Sequence, residues 1–179
     1  MFDKQYRFKG QHAVRVDKLT AVFDPSTKSK LFSRNVDVYT NAPIIGYLYN
    51  RRADLDNEKN PETGQVYNQN VMGDMVIATQ PELIFNFRLI ILLDKDYEPD
   101  VKKRIDKAFR YMGKDPNDEE LFNSYVRGGV DVLYEKLIMN SNEPYDYISH
   151  LLEFIGDFNE KFNKDIANSK VLSLLQIKG

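Results

Sequence analysis

The two histidines, His12 and His150, are the first candidates for chemistry, because an imidazole serves both as a metal ligand and as a general base. They lie far apart in the chain, and neither belongs to an HExxH motif or to another spacing that brings metal ligands together. The sequence has no cysteine, which excludes disulfides, thiolate zinc sites and cysteine nucleophiles. It also has no GxSxG motif. We therefore expect no metal ion, no cofactor and no nucleophilic active site.

Acidic residues are the other candidates for catalysis, because carboxylates near a basic patch can hold the divalent metals that cleave phosphodiesters. The stretch from Asp94 to Glu98 is similar to a calcium loop, but it lacks the glycine at position six and the glutamate at position twelve, where Ile105 stands. Acids at helix ends more commonly cap the helix. A small metal-dependent nuclease is thus an alternative interpretation, and its candidate ligands are Asp37, Asp54, Asp56, Asp94, Asp96 and Asp106.

Basic residues are concentrated in the N-terminal third of the chain. Residues 1–52 contain ten basic and four acidic side chains, a net charge of +6, whereas the chain as a whole carries −2. Such an excess favours an anionic partner, either a nucleic acid or an acidic protein surface, although the two regions can also attract each other within one fold. The candidate residues for binding a nucleic acid or a partner are Lys28, Lys30, Arg34, Arg51 and Arg52.

Helical periodicity must position these side chains. With 179 residues, 42% hydrophobic and 29% charged, the chain has the size and composition of one globular domain. Apolar residues recur every three or four positions from residue 11 to 24, from 31 to 52 and in four later segments, and a polar loop occupies about 54–69. The sequence therefore predicts an all-α, single-domain bundle of about six helices. Pro43 implies a kink or break in the second helix.

Several later segments carry sharper predictions. The spacing of Thr79 and Glu82 predicts a capping box and a central core helix from Pro81 to about Leu93, with a strand over RLIILL as the alternative. Gly128 and Gly129, in the middle of a long helix, indicate either a bend or a close helix–helix contact. An amphipathic helix is predicted on either side of that long helix in the chain. The face expected to be buried is Val101, Ile105, Ala108 and Met112 on the earlier one, and Ile148, Leu151, Ile155, Phe158 and Phe162 on the later one.

The C-terminal tail, residues 168–179, is apolar after a polar joint, and we expect it to dock on this domain or on a partner. Its docking residues are Val171, Leu172, Leu174, Leu175 and Ile177. The N-terminal segment FDKQYRFKG lacks the apolar core of a signal peptide, and no apolar run has the length of a membrane span. We therefore expect a cytoplasmic protein that does not contact a membrane.

Five segments give the chain a resemblance to a known group of proteins: FKGxHA, LFSRNVDVY, AxIxGxLYNRRAxLD, FxxRLIxLLD and RIDKAFRY, which together span most of the helices. They resemble small bacterial accessory proteins of DNA-modification and phage-defence gene clusters. The resemblance implies a small helical subunit that works beside larger ATPase, nuclease or modification proteins. It assigns a role to no individual residue.

Three functions from different classes follow. The first is a non-catalytic accessory subunit that docks on a larger protein, which accounts for the missing catalytic set and for the apolar tail. The second is a stand-alone helical nucleic-acid-binding protein that uses the basic N-terminal third, with DNA as a partner. The third is the metal-dependent nuclease. The sequence favours the accessory subunit and leaves its oligomeric state open.

Overall fold

The computed structural model describes residues 1–162, and most of them are helical. In chain order the regular elements are β1 (Tyr6–Lys9), α1 (Gly10–Thr20), β2 (Val22–Asp24), β3 (Ser29–Lys30), α2 (Asn35–Leu48), β4 (Asn68–Val71), α3 (Gly73–Ala78), α4 (Gln80–Leu93), α5 (Val101–Ile105), a π-helical turn (Asp106–Arg110), α6 (Pro116–Leu137) and α7 (Pro144–Phe162). The chain divides into two compact units, Met1–Glu135 and Lys136–Gly179. The prediction of a predominantly helical protein is confirmed.

Two small antiparallel sheets make the all-α prediction wrong in detail. β1 pairs with β4, and Tyr6 stands opposite Val71 at one end of the pair. Within β1 the side chain of Phe8 is fully buried, whereas its neighbours along the strand are more exposed, as a strand with one face on the core requires. The partner strand lies about sixty residues away along the chain. A four-residue strand with so distant a partner has too little sequence pattern to be predicted.

The β2–β3 hairpin is the second sheet, and it shortens the first helix relative to the prediction. α1 ends at Thr20, whose hydroxyl donates to the carbonyl oxygen of Val16 (3.0 Å), and Ala21 is extended with φ −69° and ψ 156°. Phe23, which the periodicity places on the buried face of a helix, lies instead in β2. The carboxylate of Asp24 accepts hydrogen bonds from the hairpin turn and so fixes the change of direction.

The polar segment between α2 and β4 is irregular apart from an isolated bridge between Lys59 and Val66. It is fastened to the N-terminus of α1 by Asp56, whose carboxylate accepts a hydrogen bond from the backbone N–H of Gln11 (2.6 Å). Gly10, just before that residue, has φ +55°, and a Cβ there would overlap Asp56. The loop therefore supplies the cap that the residues before α1 do not provide.

Glycines decide how α2 meets α6. A Cβ added to Gly46 of α2 would overlap the carbonyl oxygen of Tyr125, and one added to Gly129 of α6 would overlap that of Ala42. Gly128 and Gly129 therefore mark a close contact, as one of the two predicted alternatives requires, and both helices are continuous. α2 also continues through Pro43, so the predicted break is absent.

The core of the first unit is built around α4 and α6. Leu83, Phe87, Ile90 and Ile91 of α4 are fully buried or nearly so. The central core helix is therefore confirmed, and the alternative of a strand over RLIILL is wrong. The predicted capping box is absent, because the Thr79 hydroxyl donates back to α3. Aromatic rings fill the space between these helices and β1, with centroid separations of 5.0–6.5 Å among Phe2, Phe8, Tyr6, Tyr39, Phe87 and Phe122 in edge or tilted contacts.

The faces predicted for α5 and α7 are wrong in part. On α5 and the π-helical turn, Val101 and Ile105 are exposed, while Arg104 and Ala108 are buried. Arg104 tolerates burial because its guanidinium donates to the carbonyl oxygens of Glu98 (2.6 Å) and Pro99 (3.0 Å). On α7, within the second unit, the buried side chain is Phe154, and the predicted Ile148 and Ile155 are exposed.

The α2–α6 contact yields a first prediction. Gly129→Ala should lower the free energy of unfolding by about 1–3 kcal/mol, because the new methyl group must push the two helices apart. Gly73→Ala is the matched control, since a Cβ there meets nothing closer than 3.4 Å, and its effect should stay within about 0.5 kcal/mol. Urea denaturation followed by circular dichroism measures both values. Equal midpoints for the two variants would contradict the close contact.

Candidate functional site

The basic residues predicted to bind a partner do not form one cluster around α2. Lys28 and Lys30 lie in the β2–β3 hairpin, Arg34 is the N-cap of α2, and Arg51 and Arg52 follow its C-terminal end. A helix of 14 residues is about 21 Å long, so α2 itself holds Arg34 apart from the double arginine.

Arg34 has a local partner. Its Nη2 lies 2.8 Å from Oδ1 of Asp37, and its backbone N–H donates to Oδ2 of the same carboxylate (2.9 Å). Asp37 is three residues into the helix, so this pair closes the first turn of α2 in the manner of a capping box. The guanidinium fork of Arg34 already meets the carboxylate of Asp37 within its own helix.

The double arginine also faces its own domain. Arg51 Nη2 lies 3.2 Å from Oε1 of Glu135 on α6, and the guanidinium of Arg52 lies 5.8 Å from the centroid of the Tyr125 ring. The carbonyl oxygen of Arg51 is the atom that a Cβ at Gly128 would overlap. Both residues therefore help to fasten the end of α2 onto α6, which sequence reasoning left open.

A polar cluster that the sequence did not predict borders a pocket of about 440 Å³ beside the π-helical turn. Lys107 Nζ lies 2.6 Å from Oδ1 of Asp118 and 2.9 Å from Oδ2 of Asp115, and the Tyr97 hydroxyl donates to the same Asp118 oxygen (2.6 Å). Asp118 is fully buried, and its Oδ2 lacks a hydrogen-bond partner among the described residues.

The electrostatics of this cluster favour a structural role. Burial and the hydrogen bond to Asp118 raise the pKa of Tyr97 to about 12, so the phenol stays protonated at neutral pH. Burial of the Lys107 ammonium lowers its pKa, but the hydrogen bonds to Asp115 and Asp118 outweigh that effect and hold the pKa above its ordinary value. Neither group can take up a proton near pH 7. The cluster instead joins the π-helical turn to the first turn of α6, where acids also complement the helix dipole.

A second polar cluster surrounds His12 of α1. Its Nε2 lies 3.2 Å from Oδ1 of Asp131 on α6, and the same oxygen accepts a hydrogen bond from Arg15. Burial raises the pKa of Asp131, but the hydrogen bond and charge of His12, together with Arg15, lower it by a larger amount. The pKa of Asp131 therefore lies below its ordinary value. His12 is only 5% exposed, and its Nδ1 is buried without a partner among the described residues. This buried histidine–aspartate pair joins α1 to α6.

Four of the six candidate nuclease carboxylates make contacts within their own domain, and the other two, Asp54 and Asp96, are exposed. Asp37 caps α2, Asp56 caps α1, and Asp94 accepts hydrogen bonds from the buried Tyr125 hydroxyl (2.7 Å) and from a backbone N–H. Asp106 lies 3.0 Å from Arg110 within the π-helical turn. Within residues 1–162 the structure contains no group of three or more histidine, aspartate or glutamate side chains that could hold a metal ion.

The surface that sequence reasoning missed is a line of exposed apolar side chains on α7, which we call the α7 stripe: Tyr145, Ile148, Leu152 and Ile155. They are 78%, 43%, 65% and 54% exposed. Their spacing of three, four and three residues places them on one face of the helix. The spacing is visible in the sequence, but it overlaps the stripe that includes Leu151 and Phe158. The docking residues predicted in the tail, Val171, Leu172, Leu174, Leu175 and Ile177, lie outside the described residues.

Comparison with protein-family models, with curated proteins and with solved structures finds no match to this chain. Among the described helices, none has the length and apolar character needed to cross a membrane.

The polar cluster of His12, Arg15 and Asp131 yields a prediction on how stability depends on pH. Because the pKa of Asp131 is lowered in the folded state, its contribution to stability is complete above the unfolded value of about 3.9 and is lost as pH falls through the lower folded value. Asp131→Asn should therefore cost about 2 kcal/mol or more at pH 7, since it removes the negative charge that His12 and Arg15 share. Urea titrations at pH 7 and near pH 3 should show this difference shrink at the lower pH. Asp54→Asn, an exposed residue, serves as the control, and a difference that stays constant with pH would contradict the proposed pairing.

Proposed function

We propose that this chain is a non-catalytic helical subunit that docks on another protein through the α7 stripe. The observation that carries the proposal is the alignment of four large exposed apolar side chains on one helix face. Single exposed apolar residues are ordinary on a protein surface, whereas an aligned group typically marks an interaction site. Amphipathic helices that bind a groove present anchors at positions i, i+4 and i+7, which is the spacing of Ile148, Leu152 and Ile155.

The polar clusters support the same proposal. His12, a candidate for catalysis, is engaged with Asp131, and the polar groups beside the pocket, Asp118, Lys107 and Tyr97, are engaged with one another. Each of these groups stabilises a contact between helices. The resemblance to bacterial accessory proteins of DNA-modification and phage-defence gene clusters extends the proposal, because it makes the partner a larger subunit of such a cytoplasmic assembly.

Nucleic-acid binding is the second candidate, and the net charge of +6 on residues 1–52 favours it. The two exposed lysines of the β2–β3 hairpin, Lys28 and Lys30, are the natural phosphate contacts for this candidate. Arg34, Arg51 and Arg52 already contact Asp37, Glu135 and Tyr125. DNA contacts would thus supplement protein docking, and they call for a separate test.

The α7 stripe yields a prediction on partner binding. The double variant Leu152→Asp, Ile155→Asp should lose proteins that co-purify with the wild-type chain from its native cell, because two charges in an apolar contact are strongly unfavourable. Its unfolding free energy should change by no more than about 0.5 kcal/mol, since both residues are more than half exposed. Affinity purification followed by mass spectrometry measures the loss. Leu55→Asp, which adds a charge at an exposed apolar residue of the polar loop, is the control, and a partner set that is the same in all three proteins would refute the proposal.

The hairpin lysines yield a prediction on DNA. If the chain binds duplexes, Lys28→Glu with Lys30→Glu should weaken binding to random sequence and should flatten the dependence of log affinity on log salt, because two phosphate contacts are lost. Fluorescence anisotropy at several salt concentrations measures both effects. Arg51→Glu is unsuitable here, since it also breaks the ion pair with Glu135. Wild-type affinity that does not fall with salt would argue against phosphate contacts altogether.

A further inference from the structure

A second exposed apolar surface lies on the first unit, on α5 and the π-helical turn. Val101, Ile105 and Phe109 follow one another at intervals of four residues and are 59%, 48% and 56% exposed. The guanidinium of Arg88 on α4 lies 4.9 Å from the centroid of the Phe109 ring. Phe85, one turn earlier on α4, is also exposed. We call this surface the α5 face.

The α5 face is cationic. The segment from Val101 to Arg110 holds five basic residues and one acid, a net charge of +4. Lys107 and Arg110 pair with neighbouring aspartates, and Arg104 is buried against backbone carbonyls. Lys102 remains on the exposed surface beside Val101, and Arg88 adds a cation on the side of Phe109. An apolar surface with cations at its margin suits an apolar partner with acids at its margin.

The α7 stripe has the opposite charge. α7 carries four acids and one base, a net charge of −3. Asp146, Glu153 and Glu160 are spaced seven residues apart, which places them along one side of the helix. They adjoin the stripe across the small residues Ser149 and Gly156, so a second helix can approach that side closely. The stripe is therefore apolar with an acidic margin.

From this complementarity we infer that the α7 stripe of one copy docks on the α5 face of a second copy of this chain. The inference rests on the proposed function, because it names the partner of the same stripe. Pairing of two α7 helices with each other would bring two acidic margins together, and pairing of two α5 faces would bring together the marginal cations Lys102 and Arg88 of both copies. Only the heterologous combination joins opposite charges.

A heterologous contact has a structural consequence. Because each copy offers one stripe and one face, copies add head to tail into a ring if the rotation closes and into an open row if it does not. An open row leaves one α7 stripe uncovered at its end, which is where a larger subunit can dock. The surface formed by three or four apolar side chains on each side is small, so association in the micromolar range is expected.

The experiment is a complementation test by sedimentation velocity. Wild-type protein should associate as its concentration rises, and higher salt should weaken the association. Leu152→Asp places a charge in the α7 stripe and Ile105→Asp places one in the α5 face, so each variant alone should remain monomeric. An equimolar mixture should form dimers and nothing larger, because the intact stripe of Ile105→Asp binds the intact face of Leu152→Asp. Leu55→Asp, at a similarly exposed apolar residue in the polar loop, should associate like wild type.

Other outcomes separate the inference from the proposed function. If the mixture stays monomeric, or if Leu152→Asp abolishes association while Ile105→Asp does not, the heterologous contact is refuted. Association that tightens with salt would indicate pairing of like charges and would refute it as well. A wild-type chain that stays monomeric refutes the inference, but the proposed function survives if the stripe variant still loses its co-purified partners. Should Ile105→Asp lower the melting temperature, Phe109→Ser repeats that arm of the test at another exposed position of the face.

Discussion

The close backbone contact between α2 and α6 is the constraint on which the first unit depends. Glycines at the crossing bring the carbonyl oxygens of Ala42 and Tyr125 against the opposite helix. The chain that follows α2 then lies on α6, where Ala53 donates its N–H to the carbonyl oxygen of Ser124 (3.1 Å) and accepts a hydrogen bond from Arg127 (2.8 Å). The absence of a Cβ at Gly46 and Gly129 thus determines the direction of the chain after α2, and with it the position of the double arginine.

The elements that could be predicted from the sequence are those whose burial leaves a strong local pattern. α4 is apolar on nearly every side, and α6 buries Leu121, Tyr125, Val130 and Leu133 at helical intervals, so both could be recognised from periodicity alone. β1 and β4 could not, because their pairing depends on residues that are distant in the chain. The β2–β3 hairpin could not be predicted for a different reason. Phe23 continues the helical spacing of α1, even though the backbone is already extended at Ala21.

The orientation of a helix is harder to predict than its existence. Periodicity identifies an apolar stripe on α5 and on α7, but it does not reveal whether the stripe meets the core or the solvent. On α5 the inner face includes Arg104, whose Nη1 donates to the carbonyl oxygens of Glu98 and Pro99. It also includes Ala108, whose carbonyl oxygen accepts a hydrogen bond from Arg88 (3.3 Å). A buried arginine and a small residue give little hydrophobic signal, so the exposed stripe of larger residues dominated the prediction. For the candidate site, the sequence therefore predicts the apolar residues of α5 and α7, but not whether they face the core or the solvent.

The charge asymmetry of the sequence has a similar explanation. The basic N-terminal third meets acids of α6: Arg15 and His12 share Asp131, and Arg51 pairs with Glu135. Two of the ten basic residues of that third, Arg15 and Arg51, are thus used for attraction to α6, which reduces what is left for a nucleic acid. The charges that remain at the margins of exposed apolar surfaces are of opposite sign on α5 and α7. Because such charges act on association and not on the stability of the fold, they bear on what the protein binds.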